Sequence, residues 1–160
     1  MKDEYYMQLA LAAAEKAGQM DEVPIGAVIV QKTGLILATA WNRTISLCDP
    51  TAHAEILALR KAAALMGNYR LPDTTLYVTI EPCIMCMGAM VHARITRLVY
   101  GAADIKWGGA GSLYDLSHDV RLNHRMDVRA GVLEAPCREK LQLFFRQKRQ
   151  NAKDAKKPQV

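Results

Sequence analysis

The sequence predicts an α/β fold, a three-layer α/β/α sandwich around a central mixed five-stranded sheet. Two observations predict it. A helical pattern comes first, a hairpin pattern follows, and strand and helix patterns then alternate to the C-terminus without any internal repeat. The chain has 160 residues, 51% of them hydrophobic, which is enough for one domain with a sizeable core and too many for general disorder.

Each element has its own signal. Residues 4–18 carry Met7, Ala10, Leu11, Ala14 and Ala17 as one apolar stripe of a helix, closed by Gly18. Pro24 to Val30 and Leu35 to Thr39 read as two strands joined by a turn at Lys32-Thr33-Gly34. Asp49-Pro50-Thr51 starts a helix with His53 in its first turn, and Gly67-Asn68 ends it. Leu76 to Ile80 is a β-rich run that feeds a helix with Pro82 at its first position, where the missing N–H costs nothing. Arg97 to Tyr100 and Asp127 to Gly131 supply the last two strands, with a glycine-rich stretch from Gly101 to Ser112 between them. Pro136 to Asn151 forms the final helix, and residues 152–160 read as a mobile tail.

The chemistry concentrates between Thr51 and Met87. His53, Cys83 and Cys86 are three residues of the types that bind zinc, and three protein ligands leave a fourth position for water, as catalytic zinc sites do. Both cysteines lie near a helix N-terminus, which favours thiolate. Glu55 is two residues from His53, so it does not share the histidine's helical face and is a poor co-ligand. It is instead placed to carry protons beside the metal. His92, His118 and His124 lack ligand spacing from His53 and read as structural, as does Cys48. Glu81 either orients a ligand or caps the helix that it precedes.

The two segments His53-Ala54-Glu55 and Pro82-Cys83-Ile84-Met85-Cys86 match the H-x-E and P-C-x-x-C signature of zinc-dependent base deaminases. The chain resembles the bacterial tRNA-specific adenosine deaminases, within the cytidine deaminase-like zinc superfamily. The likeness extends to Glu22 through Val28, Trp41-Asn42-Arg43, Asp49 through Glu55, Asn68-Tyr69-Arg70-Leu71, Glu81 through Cys86 and Gly108 through Leu113. It covers roughly residues 3 to 150.

The resemblance implies a cytidine deaminase-like deaminase domain over residues 1–151 and hydrolysis of the wobble adenosine of a tRNA anticodon loop to inosine. One zinc per subunit, with water or hydroxide as its fourth ligand, would be held by His53, Cys83 and Cys86, with Glu55 as the proton shuttle. It also implies a homodimer with tRNA as its partner and no nucleotide cofactor. Asn42 would meet the target nucleotide, with stabilisation of its own turn as the competing role, and Arg70, Lys106, Asn123 and Arg149 are candidate RNA contacts on the same ground.

Charge supports a polyanionic partner. Residues 138–157 carry eight basic and two acidic side chains, a net +6 that leaves the remainder of this +5 protein at −1. The competing reading of that run is a solvated, lysine-rich tail. Within it, one of Phe144 and Phe145 belongs to the core and the other is available to stack on an unpaired base, with Arg146 beside them. Asp104 either caps its own loop or accepts from a ribose 2′-OH. Trp107 either stacks on a flanking nucleotide or packs on a partner subunit.

The N-terminus, Met1-Lys2-Asp3-Glu4, lacks the regions of a signal peptide, and no apolar run is long enough to cross a bilayer, so the expected compartment is the cytoplasm. Two rivals share the zinc motif: a deaminase of free cytidine, deoxycytidylate or guanine, and a zinc-stabilised RNA-binding module without catalysis. The basic C-terminal run argues against the first and Glu55 against the second.

Overall fold

The computed structural model describes residues 2–156. Helix α1 (Lys2–Gln19) has Asp3 and Glu4 in its first turn and Lys16 in its last, complementing the helix dipole. Its buried face is Tyr6, Met7, Ala10, Ala13, Ala14 and Ala17. The alanines let the sheet come very close. A Cβ on Gly26 would lie 2.0 Å from the Ala10 carbonyl oxygen, so only glycine fits there.

Strands β1 (Gly26–Gln31) and β2 (Ile36–Trp41) form the expected antiparallel hairpin, with a register shift between Ile29 and Val30. Strand β3 (Thr74–Ile80) pairs antiparallel with β1, and β4 (Arg97–Ala102) and β5 (Asp127–Arg129) then add in parallel. The order is β2-β1-β3-β4-β5, a mixed five-stranded sheet. Alternate side chains leave each strand on opposite faces. Val28, Val30, Tyr77 and Val99 pack with α1, and Cys137 of α4 (Glu134–Asp154) joins that layer. Ala27, Ile29, Leu76, Val78 and Leu98 pack with α2 (Ala54–Met66) and α3 (Ile84–Ala93) on the other. Covered on both faces, β1, β3 and β4 read in sequence as nearly continuous apolar runs.

Three helices have boundaries that differ from expectation. His53 is the N-cap of α2 in extended conformation, and the Asp49-Pro50-Thr51 segment is a turn before the helix. Cys83 is likewise the N-cap of α3, so Pro82 precedes the helix. Helix α4 starts before Pro136, which a first turn tolerates, and continues through residues 152–154, where a tail was expected. The expected tail from Lys157 to Val160 lies outside the described residues.

Asp3 is an anchor that the pattern of the sequence does not announce. Its carboxylate takes two hydrogen bonds from Arg97, at 2.8 and 2.9 Å, and others from Arg129 and Tyr77, tying α1 to β3, β4 and β5. The Arg97 guanidinium is the main cause holding this carboxyl well below its usual range. Among the described residues, no helix is long and apolar enough to cross a membrane.

Candidate active site

The site lies at the carboxyl end of β3, where ligands collect in open α/β sheets. A helix N-cap is normally Ser, Thr, Asp or Asn, whose side chain bonds the first free N–H groups. Here His53 and Cys83 occupy the two N-caps and make no side-chain cap bond, so both side chains are free to face each other. Asn42 supplies the missing cap of α2 from a distance, its Oδ1 accepting the Ala54 N–H at 2.8 Å.

His53 Nδ1 is 3.6 Å from Cys83 Sγ and 3.5 Å from Cys86 Sγ, and all three ligand atoms lie within 4.8 Å of one another. The nitrogen–sulfur edge of a zinc tetrahedron is about 3.6 Å, given Zn–S near 2.3 Å and Zn–N near 2.0–2.1 Å. The trio therefore fits zinc without rearrangement. The Cys83 thiol is pulled down to about 4, first by its hydrogen bond with Cys86 and then by His53, so one thiolate is already favoured. The same contact with Cys83 raises the His53 pKa.

Glu55 is 3% exposed beside these three residues. Burial pushes its carboxyl from 4.5 up to about 7, and Oε2 is buried with no hydrogen-bond partner. An orphaned carboxylate atom in the interior costs stability and implies a partner that arrives with metal, water or substrate. Among the described residues, His53, Cys83 and Cys86 are the cluster of metal-binding type. His124 instead bonds the Ile95 carbonyl, at 2.7 Å, His118 pairs with Asp115, and His92 lines a groove between α2 and α3.

Two buried carboxylates hold the loops around the site, Glu22, which sequence reasoning missed, and Glu81, to which it gave other roles. Glu22, fully buried, accepts the Ser46 and Ile45 N–H groups at 2.7 and 3.2 Å and fixes the loop after Asn42. Glu81, 3% exposed, accepts the N–H groups of Asp104, Ala110 and Ser112, each at 3.0 Å, and the Ser112 hydroxyl. It serves the glycine-rich loop, and these bonds are neither of the two roles expected of it. The available signal was a carboxylate directly beside an apolar strand, where a charge has no reason to be unless loop N–H groups converge on it.

The expected RNA contacts divide. Lys106, Phe145, Arg146 and Arg149 come together in one groove of about 500 Å³, with Leu141 and Gln142 completing its wall. Phe145 is 42% exposed there. Phe144 turns towards α1, lining a second cleft with Gly18 and Pro24. Lys148, in the same basic run, also turns that way and pairs with Asp21. Asp104 Oδ1 accepts the N–H groups of Lys106 and Trp107 at 3.0 and 3.2 Å, which is the loop-capping arrangement. Arg70 stands over the Tyr69 ring, 5.4 Å from its centroid, and Asn123 accepts from Arg94 at 2.8 Å. Neither lines the groove. Trp107 is 68% exposed.

Comparison with known proteins agrees with this geometry. The family described as the cytidine and deoxycytidylate deaminase zinc-binding region matches residues 1–102. A tRNA-specific adenosine deaminase of Haemophilus influenzae is 48% identical over 151 residues, covering 94% of this chain and 87% of that protein. Another, from Bacillus subtilis, is 45% identical over 156 residues, covering 98% and 96%. A structure from studies of A-to-I editing by tRNA:A34 deaminases at the wobble position superposes with a TM-score of 0.83 at 47% identity, covering 86% of this chain and 99% of that one. A guanine deaminase from Nitrosomonas europaea gives a TM-score of 0.77 at 25% identity, covering 88% and 83%.

Proposed function

The chain belongs to the tRNA-specific adenosine deaminases, in the zinc-binding cytidine and deoxycytidylate deaminase family, and from that premise we infer that it hydrolyses the wobble adenosine of a tRNA anticodon loop to inosine and ammonia. The observation that carries this reading is the orphaned Glu55 carboxylate beside His53, Cys83 and Cys86. When bound by those three residues, zinc supplies a Lewis acid that lowers the pKa of water. Glu55 Oε2 receives a proton from the attacking water and delivers it to N1 of the purine as the oxygen adds to C6. A second transfer through the same oxygen moves the remaining proton of the added hydroxyl to the amino group, which leaves as ammonia while C6 keeps the oxygen as a carbonyl. A carboxyl whose pKa lies near neutrality can both take and give protons.

The target base has to leave its stack to reach this pocket, which suits an unpaired loop. Lys106, Arg146 and Arg149 would hold the phosphates, and Phe145 offers a stacking face. Asn42 keeps an amide for the nucleotide while its carbonyl caps α2. The apolar groove between α2 and α3, lined by Ile56, Leu59, Met85, Ala89 and the exposed Tyr69, supports a homodimer across that face. The cytoplasm suits two ligand thiols that must stay reduced.

Mass spectrometry of tRNA after incubation with the zinc-loaded enzyme tests the reaction. Inosine at the wobble position is the expected product. Ammonia from free guanine or cytidine with unmodified tRNA would replace this reading with a small-substrate deaminase.

A further inference from the structure

Proton transfer and metal binding leave Glu81 unexplained. Its carboxylate is buried directly before Pro82 and the ligand Cys83, yet its hydrogen bonds go to the loop 104–112 and to neither cysteine nor His53. The Asp104 N–H and the Ser112 hydroxyl bond Oε2, and the Ala110 and Ser112 N–H groups bond Oε1. Four donors fill the roughly four acceptor sites of an ionised carboxylate.

The loop is moulded on this group. A Cβ on Gly108 would fall 2.4 Å from Glu81 Cδ and 2.5 Å from Oε2, so the carboxylate occupies the space of a side chain. Gly108 pairs with Cys83 in an antiparallel bridge, and the Gly109 N–H bonds the Pro82 carbonyl at 2.8 Å. The loop is thus fastened along the metal-ligand segment. Its outer corner is reached by a relay: Glu81 holds the Asp104 N–H, and Asp104 Oδ1 holds the N–H groups of Lys106 and Trp107. That corner exposes Trp107, and Lys106 opens onto the groove of Arg146 and Arg149.

We propose that Glu81 is a positioning residue for substrate binding: through Asp104 it holds Lys106 and Trp107 as a lip beside the metal centre that grips the RNA strand flanking the target nucleotide. The proposal rests on the RNA-deaminase reading above. It assigns Glu81 to affinity and leaves the chemical step to Glu55.

Glu81→Gln separates these roles. If the new carbonyl faces the Ala110 and Ser112 N–H groups, the amide nitrogen faces the Asp104 N–H and leaves that donor unpaired, while the Ser112 hydroxyl can turn to accept. The corner at 104–107 is released and the 110–112 side stays held. On an anticodon stem-loop with a wobble adenosine, KM rises about tenfold, kcat stays within about twofold and zinc stoichiometry is unchanged. Asp104→Ala, further along the relay, gives the same KM rise, and the double variant is no worse than either single one. A fall in kcat and zinc content at constant KM would assign Glu81 to the metal and overturn the proposal. An unchanged KM also overturns it.

If Glu81→Gln does not fold, Asp104→Ala alone breaks the relay at its next link, and a KM equal to that of the unaltered enzyme then overturns the proposal. If the unaltered enzyme itself does not turn over RNA, the functional reading fails and the lip is read directly. In a Trp41→Phe background, Trp107 is the remaining tryptophan. Its fluorescence anisotropy falls in Glu81→Gln if the relay holds the corner, and equal anisotropy overturns the proposal.

Discussion

His53 and Cys83 are 30 residues apart in the chain and meet at 3.6 Å because two helices start at one end of the sheet. Arg146 and Arg149 are near neighbours on one helix, and they become a groove only when Lys106 arrives from a distant loop. The metal centre is enclosed, with Cys86 and Glu55 buried. The groove is open, with Arg146 and Arg149 exposed to water and salt. The contrast teaches where each kind of free energy resides. On the proposed reading, chemistry rests on a few groups that cannot be replaced, whereas RNA affinity is spread over several side chains along an open groove.

The largest effect comes from breaking the enclosed region. Cys86→Ala removes a ligand, and both zinc stoichiometry and turnover collapse, as metal analysis and a deamination assay would show together. Retention of stoichiometric zinc would mean that another residue completes the site.

Glu55→Gln is expected to keep the metal and lose turnover by about 10² to 10⁴-fold, the range of a single acid–base group. Zinc loss equal to that of the cysteine variant would make Glu55 a ligand. The same residue gives a pH signature in metal-free protein. Folding raises its carboxyl from 4.5 to about 7, so the folded state keeps a proton that the unfolded chain releases in that window. Stability from this group is therefore lost as pH rises from 4.5 to about 7, by about 3 kcal/mol in all. Denaturant titrations of chelated native and Glu55→Gln proteins should diverge across that window, and parallel curves would disprove the burial argument.

In the open region the effects are graded. Arg146→Gln and Arg149→Gln each lower the slope of log affinity against log salt by about 0.7 to 0.9, whereas Lys148→Gln leaves it nearly unchanged because Lys148 pairs with Asp21. Equal slopes for all three variants would dissolve the distinction between the two sides of α4.

The smallest effect is expected at Asp104, which belongs to both regions. Asn caps a turn about as well as Asp, so Asp104→Asn preserves the loop and changes RNA turnover little. Removing the charge should raise turnover of a matched DNA hairpin relative to RNA. If both rates change by one factor, the carboxylate is a cap alone.

Periodicity determined the order of strands and helices along this chain, because apolar residues must recur at the repeat of the element that buries them. The zinc trio, and the place of Glu55 beside it, were also legible, since metal chemistry permits few residue types and the two short motifs preserve their spacing. The boundaries were less so. His53 and Cys83 are N-caps by their extended backbone, and both side chains are free of capping bonds, at α2 because Asn42 supplies the cap from another part of the chain. Only the tertiary structure decided that Glu22 and Glu81 are loop anchors, that Asp3 gathers two arginines, and that Lys148 parts company with Arg146 and Arg149. In each case a single charged residue has no period and no motif. Its role is set by whichever donors the fold brings to it, and those donors lie far away in sequence.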